Sequence, residues 1–536
     1  RLRIVHVRHE GAAAPRADAW GRLTHAPGIA LVTGGPGHAN AIGAFSQSGS
    51  TISLESSVVR TTSTAGNANG QIGLRASGAG STITANGAQL TMAPGGTSAP
   101  ANMRGVSAED GGSISLTDTR IQVRGGSNAL NNYGAQAVGA GSSVNLTGGS
   151  VESLSRGSFG VLALDGGLVT LVGTQVTTTG GQNTTTLDYS HAILARGAGS
   201  RMIGESVSAT AVSNFGNGAR IDDGAHAEFS SSSLMSNGAG NAANPAAAVR
   251  VTGGGSLLVN EGSSLLASGL NGSPSLVVDG SGSTARVEGS TITASGLRSV
   301  AVHIQSGASA WLVDTDVVMT YFNDIGSQQP AVQVEGAGSS IDIQGGTIST
   351  SNPTSAGVRS GGGGMATLDG TSITTLGKDA PGMGAGGGTL NASDFTIITR
   401  GNDNAMGALA DLAGTVNLTG GTITTYGDQV RQASFAHATG ARNPGGVLTA
   451  QGTVAHTFGT YAIGVWADDG GSATVNAVTI TTEGEGAIGV FAITEQPGAQ
   501  FPATVVFNGG GVETFGARAH GATAQARNGL ATQEAR

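Results

Sequence analysis

Small aliphatic residues recur along this chain in a fixed spacing that is neither helical nor a simple alternation. In the stretch GSTISLESSVV, Ile52, Leu54 and Val59 stand at offsets of zero, two and seven. The spacing returns as Ile83, Ala85, Leu90; Ile114, Leu116, Ile121; Val144, Leu146, Val151; and Val169, Leu171, Val176. Later copies include Ala227, Phe229, Leu234; Ala310, Leu312, Val317; Ile341, Ile343, Ile348; and Ala473, Val475, Ile480. Val505, Phe507 and Val512 close the series, and degenerate copies fall near residues 202, 257, 390 and 447. The mean period is about 28 residues, which predicts about 17 coils of a repeat.

Each part of the spacing has a physical reason. An offset of two places side chains on one face of a β-strand. The next five residues cross a tight corner, often Gly-Gly or Gly-Ser as in LTGGS and IQGGT, and enter a second strand. Glycine supplies the positive φ such a corner needs. Ahead of each copy stands a third strand, as in RGVSAEDGGS, FGVLALDGG and IGVWADDGGS. Three short strands per turn, with an inward stripe of Val, Ile, Leu and Ala, predict an all-β, right-handed parallel β-helix. Each coil buries its apolar face only against its neighbours. Coil length varies, and the extra Asn, Gly, Ser and Thr residues of GGQNTTTLDYS and GSNALNNYG are expected in one loop per turn, where repeat proteins usually bind.

Composition agrees. The chain of 536 residues holds 93 glycines, is 38 % hydrophobic, and has only 11 % charged and 4 % aromatic residues. Disordered chains are poor in aliphatics and rich in charge, so disorder is excluded. The net charge is −9, Lys378 is the only lysine, and the arginines form no basic stripe, which excludes nucleic acid as partner. With no cysteine there is neither a disulfide framework nor a thiolate metal site. The chain opens on Arg1 and carries no leader or long apolar run, so it reads as a piece of a longer protein.

Coils such as GTVNLTGGTITTYG and GSSIDIQGGTISTSN resemble the passengers of pertactin-like autotransporters of Gram-negative bacteria, over residues 47–536. The resemblance implies a virulence-associated passenger at the cell surface, exported through the outer membrane by a C-terminal β-barrel translocator. It also implies an adhesin or self-association scaffold, with host or bacterial surfaces, glycans or further copies as partners. An Arg-Gly-Asp tripeptide is absent, so integrin binding is not carried over. The closing HGATAQARNGLATQEAR resembles the start of one more coil, which reads as a chain cut short before its barrel.

Residues 1–46 read differently. VRHEGAAAPRADAWGRLTHAPGIALVTGGPGHANAIGAF resembles the pyrimidine-binding domain of thiamine-diphosphate enzymes of the acetolactate synthase type, a short α/β fragment. The resemblance assigns Glu10 to the aminopyrimidine ring and Gly34–Asn40 to the loop packed near it. The Gly-Asp-Gly segment that holds the diphosphate through Mg²⁺ is missing, and TLDGTS and YGDQV sit in ordinary coils. Glu10 is therefore expected to be non-functional, with no cofactor bound.

Parallel β-helices also host polysaccharide-degrading enzymes and tailspikes, for which paired acids would be the signature. Asp222 and Asp223, with His226 nearby, and Asp468 and Asp469 are the adjacent Asp–Asp pairs. Both fall at coil turns, where Asp is common, and are expected to be structural. No His-x-x-x-His spacing or Gly-Asp-Ser-Gly setting marks a metal site or a nucleophile. Trp311 and Trp466 stand beside inward positions and are expected to pack rather than bind sugar.

Overall fold

In the computed structural model, residues 42–63, 70–94, 101–125, 131–182, 189–241, 243–270, 272–320, 329–428, 436–494, 501–526 and 532–535 are described. Among them there is no helix. Residues 1–41, with Glu10 and Gly34–Asn40, lie outside the described residues.

The first coil consists of β1 (Ile42–Gln47), β2 (Thr51–Glu55) and β3 (Val58–Ser63). The next repeats it with Ile72–Ser77, Thr82–Asn86 and Gln89–Pro94, and every pairing is parallel. Register follows the sequence spacing residue for residue. Ile52 pairs with Ile83, Leu54 with Ala85 and Val59 with Leu90. One sheet thus takes one strand from each coil and the other takes two. β1 lies within the N-terminal stretch, so the coils begin by Ile42.

The chain divides into two compact units. One is built from the chain up to Arg250 with Gly254–Leu258, the other from Val251–Gly253 and from Val259 onward. In the first, Ile83, Ile114, Val144 and Val169 stack as one buried column. In the second, Ala310, Ile341, Ala366, Leu390 and Val416 do the same. Each coil is closed by the next, which is how so thin a core stays dry.

The corner between the two strands of the double sheet is tight and left-handed. Glycine takes it at Gly148 and Gly173, with φ of 65° and 60°. Ser56, Asp118, Ser206 and Asp314 take it elsewhere, with φ between 45° and 54°. Short polar side chains that bond locally tolerate this region better than other residues do. The corner therefore does not require glycine.

The interior also holds a column the spacing does not reveal. Two residues past the offset-seven position, Thr350, Thr375, Thr399, Thr425, Thr457 and Thr482 are all buried and stack in register. The Thr375 hydroxyl donates to the Ala380 carbonyl at 2.7 Å and Thr399 to Ala405 at 2.8 Å. The hydroxyls of Thr350, Thr375, Thr399 and Thr425 satisfy main-chain carbonyls where the chain leaves the double sheet, the connection whose length varies.

Candidate functional site

The acids singled out in the sequence do not converge. Asp222 ends the strand Ala219–Asp222, and Asp223 begins the following turn with a φ of 53°. Asp222 is buried and clamped, accepting from Arg196 Nη2 at 3.2 Å and from Arg220 Nε at 2.7 Å. Asp223 faces solvent. His226 stands on a strand of the other sheet, His226–Ser230, with Nδ1 2.8 Å from Ser256 Oγ. The constellation is adjacent in sequence and split in space. Asp468 ends the strand Ile463–Asp468, and Asp469 is a left-handed turn residue with φ 42°.

The two tryptophans differ in their surroundings. Trp466 is fully buried, but on the outward side of the single-strand sheet, against Met406, Ile463 and Ile493. Trp311 is half-exposed on the double sheet, in register between Arg286 and Asp342. Lys378 reaches the buried Asp403 at 2.9 Å.

The outward face of the single-strand sheet in the first unit holds what the inward spacing missed. In the strands Arg104–Glu109, Tyr133–Val138, Phe159–Leu164 and His191–Arg196, the first residues are in register. Arg104 lies 3.8 Å from the centroid of Tyr133. Tyr133 stacks on Phe159 at 4.7 Å, and Phe159 on His191 at 5.8 Å with the rings 1° from parallel. Such a ladder fits because neighbouring strands lie about 4.8 Å apart, close to ring-stacking distance. Beside it, Phe159, Leu162 and Leu194 form a buried apolar cluster. A concavity of about 300 Å³ opens there, lined by Arg104, Tyr133, Gln136, Leu162, Leu194 and Arg196 among others.

The polar groups around this concavity are committed. Arg104 Nε donates to Gln136 Oε1 at 2.8 Å and its Nη1 to the Asn131 carbonyl at 2.6 Å. His191 Nδ1 accepts the Asn217 amide at 3.1 Å. Burial, reinforced by Arg220, Arg196 and Arg250, holds its imidazole well below the ordinary value, so it is neutral near pH 7. The histidine is thus held neutral and the Asp222 carboxylate is held between two guanidiniums. The signal of this face in the sequence is the first residue of the third strand, Tyr133, Phe159 and His191, a position the inward periodicity does not read.

One acid–histidine grouping does span consecutive coils in the second unit. Asp279, His303 and Glu335 lie on the outward side of the single-strand sheet, with His303 Nε2 3.9 Å from Glu335 Oε2. Gln333 Nε2 donates to the same carboxylate at 2.9 Å. Burial lowers the His303 imidazole, and Glu335 and Asp279 oppose that shift. Among the described residues no group of three His, Cys, Asp or Glu side chains is arranged to hold a metal ion.

Residues 1–51 match the thiamine pyrophosphate enzyme family, N-terminal TPP binding domain. The last residues of that match form β1 of the coils. Comparison with characterised proteins finds no match to the chain. Among solved structures, the chain is similar to one described as the cryo-EM structure of the Vag8–C1 inhibitor complex. The similarity has a TM-score of 0.43 at 15 % identity and covers 92 % of this chain and 100 % of that one. It is also similar to the TibC-catalysed hyper-glycosylated TibA fragment, with a TM-score of 0.30 at 16 % identity over 79 % of this chain and 97 % of that one.

Proposed function

We propose that this protein is a non-catalytic passenger displayed at a Gram-negative cell surface, where it acts as an adhesin or self-association scaffold. The observation that carries the reading is where its charges go. Arg75 donates to Glu109 at 2.6 Å, Arg442 to Asp411 at 2.7 Å, and Arg196 and Arg220 clamp Asp222. These three carboxylates are tied to arginines, each of them to one on a neighbouring coil, rather than left to face a substrate. Much of what remains outward is hydroxyl and amide with a few apolar ladders, chemistry that suits a contact surface. The autotransporter-like repeat supports export by an outer-membrane β-barrel. The test is to place the chain ahead of such a barrel in a bacterium and follow antibody labelling and adhesion of intact cells. Labelled cells that neither adhere nor aggregate would overturn the adhesin reading.

A second reading, a β-helical polysaccharide-degrading enzyme, rests on Asp279 and Glu335, which flank His303 across three coils. Paired carboxylates on one face are what glycoside hydrolysis uses. Release of reducing ends from a polysaccharide panel, abolished by Glu335→Gln, would favour it over the first.

For the N-terminal segment no cofactor role is proposed, although its resemblance points to thiamine diphosphate. Calorimetry with thiamine diphosphate and Mg²⁺ is expected to show no binding. Heat that vanishes in Glu10→Gln would reverse that.

A further inference from the structure

On the outward side of the double sheet in the second unit, the residue after each second strand forms a column running from coil to coil. Leu376, Arg400, Tyr426, Phe458, Glu483 and Phe515 occupy it. The amides of Leu376, Tyr426, Phe458 and Phe515 each donate to a threonine carbonyl of the preceding coil, at 2.9 Å. Earlier in the same unit the column holds Ser295, Thr320 and Ser351 with the same bonding. The coil therefore does not need apolar groups there.

It has them nonetheless. Leu376 is 52 %, Tyr426 41 % and Phe515 69 % exposed, in a chain with only 4 % aromatic residues. The guanidinium of Arg400 lies 4.6 Å from the centroid of Tyr426. Tyr426 stacks on Phe458 at 4.8 Å with the rings 3° from parallel, and His456 lies 4.0 Å from Phe458. His456 Nε2 is 2.8 Å from Glu483 Oε1. Tyr426 and Phe458 adjoin, with Arg400 and Glu483 on either side and Leu376 and Phe515 beyond them, and exposed apolar groups gathered in one row mark a contact.

We infer that this ridge is a glycan-binding site, taking a neutral oligosaccharide laid along the column. The inference deepens the adhesin reading and rests on it for where the partner is met. Width decides the class of partner. The ring strip is one side chain wide, and the neighbouring outward columns are mixed, with Thr422, Thr424, Thr479 and Thr481 in register with Ile398, Val454 and His456. A protein partner needs a broad desolvated core to its interface. A sugar chain is narrow and alternates C–H faces with hydroxyls, which suits ring rims flanked by threonine hydroxyls. Arg400 and Glu483 bring opposite charges to one strip, so a neutral chain fits better than a polyanion.

The purified full chain is tested on immobilised cellohexaose, chitohexaose, maltohexaose and N-acetyllactosamine oligomers, followed by calorimetry with those retained. At least one is expected to bind with submillimolar affinity. Phe515→Ser and Tyr426→Ser are each expected to weaken it by about tenfold, since ring contacts carry the binding. Tyr426→Phe keeps the stack and should keep most of the affinity. The thermal midpoint of each variant separates lost binding from lost fold, and the exposed Phe515 is the variant least able to unfold the coil. No retained probe, or affinity unchanged in folded Phe515→Ser and Tyr426→Ser, overturns the site. Concentration-dependent self-association abolished by the same variants would assign the ridge to a second copy and also overturn it. Cells displaying the variants distinguish the two failures. Adhesion that persists without purified glycan binding sinks the ridge alone, whereas chains that never reach the surface sink the passenger reading.

Discussion

Gly204 and Phe229 pair across neighbouring coils, and the absence of one side chain makes room for the other. A Cβ built on Gly204 would come within 2.6 Å of the Phe229 ring, which is fully buried. Most coils carry Leu or Ala at this inward position, as at Leu146 and Leu171. Restoring the repeat with Gly204→Leu is therefore expected to destabilise the first unit, by about 1–3 kcal/mol for an overpacked core. Phe229→Ala opens a cavity and is also expected to destabilise. The double variant should recover part of the combined loss, because both act on one space. Strictly additive denaturation midpoints would show that the two residues do not share it.

The pair also shows what the sequence hides. Residues 202–209 read as a degenerate copy because Gly204 breaks the aliphatic spacing, yet the register there is unbroken. The inward positions were legible because each answers to one constraint, burial in a one-coil-thick core. The outward residues answer to their neighbours in the next coil, about 28 residues away. Tyr133, Phe159 and His191 become a ladder only once parallel register places them together. Asp222 and His226, close in sequence, were separated by the corner between them. The inward threonine column was missed because hydroxyl residues read as surface, whereas here they are buried, and Thr350, Thr375, Thr399 and Thr425 bond the main chain.

Burial holds the imidazole of His437 down to about 3, against an ordinary value of 6.5. Its Nδ1 accepts the Ile463 amide at 3.0 Å. In the unfolded chain the group titrates near 6.5. The folded value lies below the unfolded one, so between about pH 6.5 and pH 3 unfolding takes up a proton. Stability is then lost as the pH falls through that window, by about 1.4 kcal/mol per pH unit for one such group. His191 acts in the same direction. Urea midpoints are expected to fall from pH 7 to pH 5, and less steeply in His437→Gln, whose carbonyl can take over the Ile463 amide. Parallel pH profiles for the two proteins would contradict the assignment.

Asp222 is expected to matter for stability and not for any activity. Asp222→Asn keeps the shape but removes the charge that two guanidiniums share, leaving Arg196 and Arg220 close together beside the buried His191. The side chains of both arginines are partly exposed, so solvent relieves some of the repulsion. A loss of about 2 kcal/mol is expected, below the range for a fully buried pair. Asp223→Asn, at an exposed position, should be near neutral. Equal thermal midpoints for Asp222→Asn and the native chain would remove the clamp from the account.

The threonine column separates the inside of the coil from the outside with a single methyl-for-hydroxyl exchange. Thr374 and Thr375 are neighbours on one strand, Thr374 outward and Thr375 inward. Thr375 is fully buried and donates to the Ala380 carbonyl at 2.7 Å. Thr375→Val keeps the shape and leaves that carbonyl without its donor, which is expected to cost about 1–2 kcal/mol. Thr374→Val exchanges a half-exposed hydroxyl for a methyl in a strand that favours β-branched residues, and should lie within about 0.5 kcal/mol of the native chain. Repeating the pair of exchanges at Thr399 and Ile398 tests the column itself. Thr399 donates to Ala405 at 2.8 Å and is expected to repeat the loss. Ile398, outward on the same strand, already lacks the hydroxyl, so Ile398→Thr should be nearly silent. Equal losses for inward and outward exchanges would mean that the interior hydroxyls only fill space.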